Sequence, residues 1–147
     1  MAYAALLSGI TLAQVGLGSV HGLASPLGAF FPIPHGVVCG TLVASATRIN
    51  IHSMSAREPN NTALAKYWRT AEILCQRRFI DPQVAFNKLI DLLAQWTNEL
   101  ALPRLSHYGL QETALDKVIA HCRGSSMKTN PIVLTDEEIR QVLLERL

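Results

Sequence analysis

Two histidines, His21 and His35, stand fourteen residues apart in an opening segment that holds no Asp, Glu, Lys or Arg before Arg48. An imidazole placed among apolar neighbours needs a polar partner. Neutral imidazole is also a good ligand for zinc or ferrous iron, so two rings converging across a tight bend could share one ion. The spacing alone fits better with two unrelated core histidines, each bonded to a backbone carbonyl, because a fourteen-residue gap is no general ligand signature. At the level of spacing both readings stay open.

The other chemistry-bearing residues form no recognisable constellation. Cys39, Cys75 and Cys122 lie far apart among helix-forming apolar neighbours, without any CxxC. They read as reduced core thiols, which favours the cytoplasm. His52, His107 and His121 read as surface or cap residues, and Arg77, Arg78 and Lys128 as solvated charges. Asp116 and His121 are five apart, a rotation of about 140° on a helix, which argues against shared ligation. Gly16-Leu17-Gly18 begins like a dinucleotide loop, but His21 stands where the third glycine belongs and no strand precedes it. No Ser-His-Asp or Cys-His arrangement is supported.

Composition sets the frame for these residues. The 147 residues suit one domain, 1–147, with 49% apolar and only 16% charged residues. Soluble domains usually carry roughly 25% charge, so the shortage implies extra contact area: a homo-oligomer, or a part of something larger. A net charge of +2 without a basic run excludes a nucleic-acid platform. Met1-Ala2-Tyr3 lacks the basic start of a signal peptide. Polar and small residues from Ser8 to Gly22 interrupt the stretch that a spanning helix would need, so a buried core helix is expected and no membrane.

The elements that must position the histidines read as all-α, a bundle of about six helices. Ala2 to Leu23 is apolar on all sides, as a central helix would be. Pro26, Gly28, Pro32 and Pro34 place a bend from about Ser25 to Pro34. A second helix runs from His35-Gly36 to about Ser55, becoming polar from Arg48. Asn61 or Thr62 caps a third, about Ala63 to Phe79, with Leu64, Trp68, Ala71 and Cys75 on one face. Asp81-Pro82 starts a fourth, whose inward stripe is Phe86, Leu89, Ile90, Leu93, Trp96 and Leu100. Gln111 to Cys122 is shorter, with Leu115, Val118, Ile119 and Cys122 inward. Thr135 and Glu138 make a capping box for the last helix, whose inward residues are Ile139, Val142 and Leu143.

The run Gly16-Leu17-Gly18-Ser19-Val20-His21-Gly22-Leu23-Ala24-Ser25-Pro26-Leu27-Gly28, followed by Pro34-His35-Gly36, resembles the signature of the iron-containing (group III) alcohol dehydrogenases. That signature has the form G-x-x-H-G-x-A-x-x-x-G and then P-H-G. Ser125-Ser126-Met127-Lys128-Thr129-Asn130-Pro131, with Leu134-Thr135-Asp136-Glu137-Glu138 after it, is similar to the family's C-terminal segment.

The resemblance implies part of the C-terminal helical domain of a two-domain dehydrogenase, without the N-terminal dinucleotide-binding domain. It implies iron or zinc, held in the whole enzyme by one aspartate and three histidines, of which His21 and His35 match two. The metal would polarise an alcohol or carbonyl oxygen while hydride passes to or from NAD or NADP. Two departures stand out. Ser25 occupies a position where many members carry a histidine, and the D-x-x-x-H that supplies the remaining ligands has no counterpart here. No catalytic or cofactor-binding residue can be assigned beyond the metal pair.

The expected function is therefore the metal-binding portion of an NAD(P)-dependent alcohol dehydrogenase acting on a small alcohol or aldehyde. By itself the portion should be inactive and hold little metal, its partner being the missing domain or a second subunit. The alternatives are a non-catalytic helical interaction module derived from such an enzyme, or a metal-independent relative like the maleylacetate reductases.

Overall fold

The computed structural model describes residues 2–147, and among them there is no strand. The helices are α1 Ala2–Val15, α2 Ser19–Phe30, α3 His35–Arg57, α4 Thr62–Leu74, α5 Pro82–Glu99, α6 Leu115–His121, α7 Ser125–Lys128 and α8 Asp136–Leu144. Short 3₁₀ turns at Leu105–Tyr108 and Glu112–Ala114 lead from α5 into α6.

The central helix is α3, not the N-terminal one. It packs against α2, α4, α5 and α8. Its buried residues include Thr41, Ser45, Thr47, Asn50 and Ser53 beside Val38, Leu42, Ile49 and Met54. Small side chains on several sides let neighbouring helices approach; Ser45 Oγ donates to the Leu42 carbonyl at 3.1 Å, whereas Thr41 and Ser53 donate to the Pro103 carbonyl and to Glu138. The main core joins Leu23, Leu27, Leu42 and Ile49 to Val118, Ile139, Val142 and Leu143 from the C-terminal helices. A smaller core joins Ile51 of α3 to Ala71, Ala85, Phe86 and Leu89 of α4 and α5, with Phe79 between them.

The expected single helix from Ala2 to Leu23 is two helices. Gly16 takes φ +75°, a conformation that costs glycine little and ends α1 there. No residue of α1 is buried, and Tyr3, Leu6, Leu7, Ile10, Leu12 and Val15 are all exposed. The expectation of a buried N-terminal helix is therefore corrected. Apolar composition marks surface that avoids water, and nothing within residues 2–147 covers it. Among the described residues no single helix is long and apolar enough to cross a membrane. The bent pair α1 and α2, at 91° to each other, meets the length and composition test only jointly.

The bend is also shorter than expected. Pro26 lies inside α2, buried, and helical structure continues to Phe30. A proline forfeits its own donor, but the other backbone bonds of the turn survive. Only Phe31 to Pro34 separates α2 from α3.

Elsewhere the local signals are realised. The Asn61 side chain accepts from Ala63 N, and that of Asp81 from Gln83 N with Pro82 at the first turn. Thr135 and Glu138 form the complete capping box. The third helix stops at Leu74 rather than Phe79, with Gln76 at φ 52°. On α5 the inward stripe ends early: Trp96 and Leu100 are exposed at 39% and 71%, and Thr97 takes the buried place. Trp96 is thus not a core residue.

Candidate metal centre

His21 sits in the first turn of α2, and His35 is the first residue of α3. Four residues Phe31 to Pro34 reverse the chain between the two helices. The reversal is fixed by Phe31 N–H donating to the Leu27 carbonyl at 3.0 Å and by the buried side chain of Ile33. As a result the two imidazole rings face each other with centroids 5.2 Å apart, tilted by 54°. The structure brings together the pair that the sequence singled out.

A third donor joins them. Cys39 lies one helical turn after His35, on the same face of α3. Its Sγ is 3.7 Å from His21 Nε2 and 3.4 Å from His35 Nε2. The candidate ligand atoms of His21, His35 and Cys39 all lie within 4.8 Å of one another. The sequence reading placed Cys39 among core thiols. It is half-buried, and the signal that could have revealed it is the H-x-x-x-C spacing at a helix start.

The environment is mixed. His35 is exposed and His21 half-buried. Burial, and secondly the neighbouring His35, hold the His21 imidazole below its ordinary value. Burial pushes the Cys39 thiol above its own. Burial thus favours the uncharged ring of His21, the form that binds a metal. The thiol can donate to one imidazole, and the same three atoms can instead turn their lone pairs on a shared cation.

Three long-range contacts hold α2 in place around His21. Gly22 packs so closely on α7 that a β-carbon there would lie 2.9 Å from Met127 Cε and 3.1 Å from the Cys122 carbonyl. Ser19 N–H donates to Asn130 Oδ1 at 2.9 Å, and Thr129 Oγ1 donates to the Leu17 carbonyl at 2.6 Å. The segment Thr129-Asn130-Pro131 thus clamps the start of the helix that carries His21.

Beside the triad opens a cleft of about 330 Å³, lined by His21, Cys39, Thr47, Asn50, Tyr67 and Asn130 among others. Asn50 Nδ2 lies 3.3 Å from Tyr67 Oη, and burial raises the Tyr67 hydroxyl above its usual value. The cleft offers a small polar lining at one end of the donor set.

The remaining candidates do not join the site. His52 and His107 are exposed, the latter edge-on to Tyr108. His121 Nδ1 faces the Lys117 carbonyl at 2.8 Å, while Asp116 pairs with Arg140. Arg77 stacks over Phe79, Arg78 pairs with Glu72, and Lys128 is exposed. Ser25 is exposed one turn beyond His21.

Comparison with known proteins follows the same lines. The model of the Fe-containing alcohol dehydrogenase family, C-terminal, matches residues 1–147. The chain is 29% identical over 148 residues to alcohol dehydrogenase 4 of Schizosaccharomyces pombe, covering 97% of this chain and 31% of that protein. It is 31% identical over 153 residues to 1-propanol dehydrogenase PduQ of Salmonella typhimurium, covering 98% and 39%. A shorter stretch of 50 residues is 46% identical to lactaldehyde reductase of Escherichia coli. In fold, the chain matches a crystal structure of 1,3-propanediol oxidoreductase with a TM-score of 0.84 at 24% identity, over 99% of this chain and 37% of that one. The chain spans 31% and 39% of the length of the Schizosaccharomyces pombe and Salmonella typhimurium relatives.

Proposed function

The chain belongs to the Fe-containing alcohol dehydrogenase family, matching its C-terminal part, and from that premise we propose that it is the metal-binding helical portion of an NAD(P)-dependent alcohol dehydrogenase. The whole enzyme would interconvert a small alcohol and its aldehyde or ketone, as the names of the relatives suggest for those proteins. The observation that carries the reading is the convergence of His21 and His35 across the α2–α3 bend, 5.2 Å between ring centroids.

The donor chemistry fits a divalent cation. Burial favours the uncharged ring of His21, and two imidazole nitrogens and a thiol sulfur converge without a competing Lys or Arg in the cluster. When bound, iron or zinc supplies Lewis acidity that polarises an alcohol or carbonyl oxygen. The chain's own part is positional. The α2–α3 reversal sets the distance between the rings. Gly22 against Met127 and Asn130 against Ser19 fix the direction in which His21 points. The cleft between α2, α3 and Tyr67 gives a small alcohol room beside the donors.

Hydride transfer needs a nicotinamide platform, and this third of the relatives' length contains no glycine-rich phosphate loop. We therefore read residues 1–147 alone as catalytically inactive. The apolar side chains that α1 leaves in solvent support a protein surface packing there, from the nucleotide-binding part or a second subunit. Reduced cysteines agree with a cytoplasmic setting.

Calorimetric titration of the purified chain with zinc or ferrous iron tests the assignment. Two histidines alone would hold little metal; with Cys39 beside them one ion per chain should bind, and both His21→Ala and His35→Ala should abolish it. Unchanged binding in both variants would remove the two histidines from the metal site.

A further inference from the structure

The family resemblance assigns two histidines of this chain to the metal. Resting on that reading, we propose that Cys39 is a third donor, so that His21, His35 and Cys39 form a His₂Cys face that favours zinc-class, sulfur-tolerant ions over oxygen-seeking ones.

The geometry carries it. In tetrahedral zinc sites Zn–N bonds are roughly 2.0–2.1 Å and Zn–S bonds roughly 2.3 Å, which makes the S···N edge of the tetrahedron about 3.5 Å. The Cys39 Sγ to Nε2 separations here are 3.7 Å to His21 and 3.4 Å to His35, on either side of that value. Three protein donors with room for a fourth ligand is the arrangement of catalytic zinc sites. The cleft lined by His21 and Cys39 provides that room.

Helix geometry makes the placement robust. His35 and Cys39 are four apart on α3, so both project from one face irrespective of small shifts in α2. The other two thiols are placed differently. Cys122 Sγ donates to the Ile119 carbonyl at 3.2 Å inside the main core, and Cys75 caps the end of α4.

The chemistry also has a selective consequence. Two neutral imidazoles alone give a weak site, whereas a thiolate adds a negative, polarisable donor. Binding replaces the S–H bond of Cys39 with a sulfur–metal bond and releases one proton to solvent, with no change of oxidation state. The sulfur donor favours zinc and its cobalt(II) stand-in over oxygen-seeking ions such as magnesium.

Cobalt(II) titration of the purified chain, followed by absorption spectroscopy, tests the assignment. One equivalent should produce a sulfur-to-cobalt charge-transfer band in the near-ultraviolet, removed by zinc in competition. Cys39→Ser and Cys39→Ala should lose the band. They should also weaken zinc binding by more than the roughly 10–100-fold that losing an outer-shell partner costs. Cys75→Ser should keep both, and circular dichroism should show every variant folded. Cobalt bound without the band, or equal zinc affinity in the Cys39 variants, would overturn the sulfur assignment and leave the histidine reading intact. An absence of any binding by the native chain would overturn both.

Discussion

Asn50 and Asn130 exchange two side-chain hydrogen bonds across the molecule, Asn130 Nδ2 to Asn50 Oδ1 at 2.8 Å and Asn50 Nδ2 to Asn130 Oδ1 at 3.2 Å. Asn130 also accepts from Ser19 N–H and donates to the Ile132 carbonyl. One amide therefore ties α2, α3 and the loop before α8 to one another. Asn130→Ala would leave the buried Asn50 amide and the Ser19 donor without their partner, each worth roughly 1–3 kcal/mol when uncompensated. Urea unfolding should register at least that loss. A midpoint unchanged from the native chain would show that water replaces the amide.

Gly22→Ala should be felt more than an ordinary helical Gly→Ala change, which gains helix propensity. The added carbon meets Met127 at 2.9 Å and the Cys122 carbonyl at 3.1 Å, one of them backbone. Overpacking of this kind typically costs roughly 1–3 kcal/mol. Because Gly22 adjoins His21, zinc affinity should fall with stability. Enhanced stability with native affinity would mean that α7 moves aside freely.

Acid sensitivity follows from Glu138. Burial alone would raise its carboxyl, but Ser53, the Thr135 backbone N–H and Arg57 outweigh it and hold the carboxyl below the usual range. Ser53 Oγ donates to Glu138 Oε1 at 2.6 Å, and Thr135 N–H to Oε2 at 2.7 Å. A depressed folded value means that the unfolded chain takes up the proton first as pH falls. The contribution of Glu138 is thus present above the ordinary carboxylate value and fades as pH drops through its lower folded value. Glu138→Gln should flatten the stability–pH curve in that acid window. A variant that keeps the native slope there would assign it to other carboxylates.

Core and surface leucines should separate cleanly. Leu42 is fully buried on α3, and Leu42→Ala should cost roughly 2–5 kcal/mol. Leu100 belongs to the same apolar spacing as Phe86 and Leu89 but is 71% exposed, so Leu100→Ala should stay within roughly 0.5 kcal/mol. Comparable losses at the two sites, measured by chemical denaturation, would place Leu100 in a buried contact.

What the sequence made legible was local. The caps at Asn61, Asp81 and Thr135 depend on a few neighbouring residues, and all three appear as read. The His21 and His35 pair was legible because the glycines and prolines around it are unusual enough to carry a family signature. Which helix lies at the centre was not legible, since α1 and α3 are both poor in charge near their starts. Only packing distinguishes them: α3 is surrounded by four helices, and α1 is covered by nothing within the described residues. Cys39 was missed for a related reason. A cysteine among apolar helical residues looks like a core thiol until the fold shows a ring nitrogen 3.4 Å from its sulfur.

The chain distances involved give the site an order of assembly. His21, His35 and Cys39 close a loop of at most 18 residues, whereas the clasp through Asn130 spans 80 to 111. Loop closure over a short span is the less costly in entropy, so the donors can gather before the clasp shuts. We predict that a metal ion added during refolding is captured loosely at first and tightly only once Asn130 docks. In stopped-flow mixing, a fast phase that scales with metal concentration should precede a slow phase that matches the folding rate and does not. Uptake at the folding rate alone, with no earlier metal-dependent phase, would show that the donors assemble only in the finished fold.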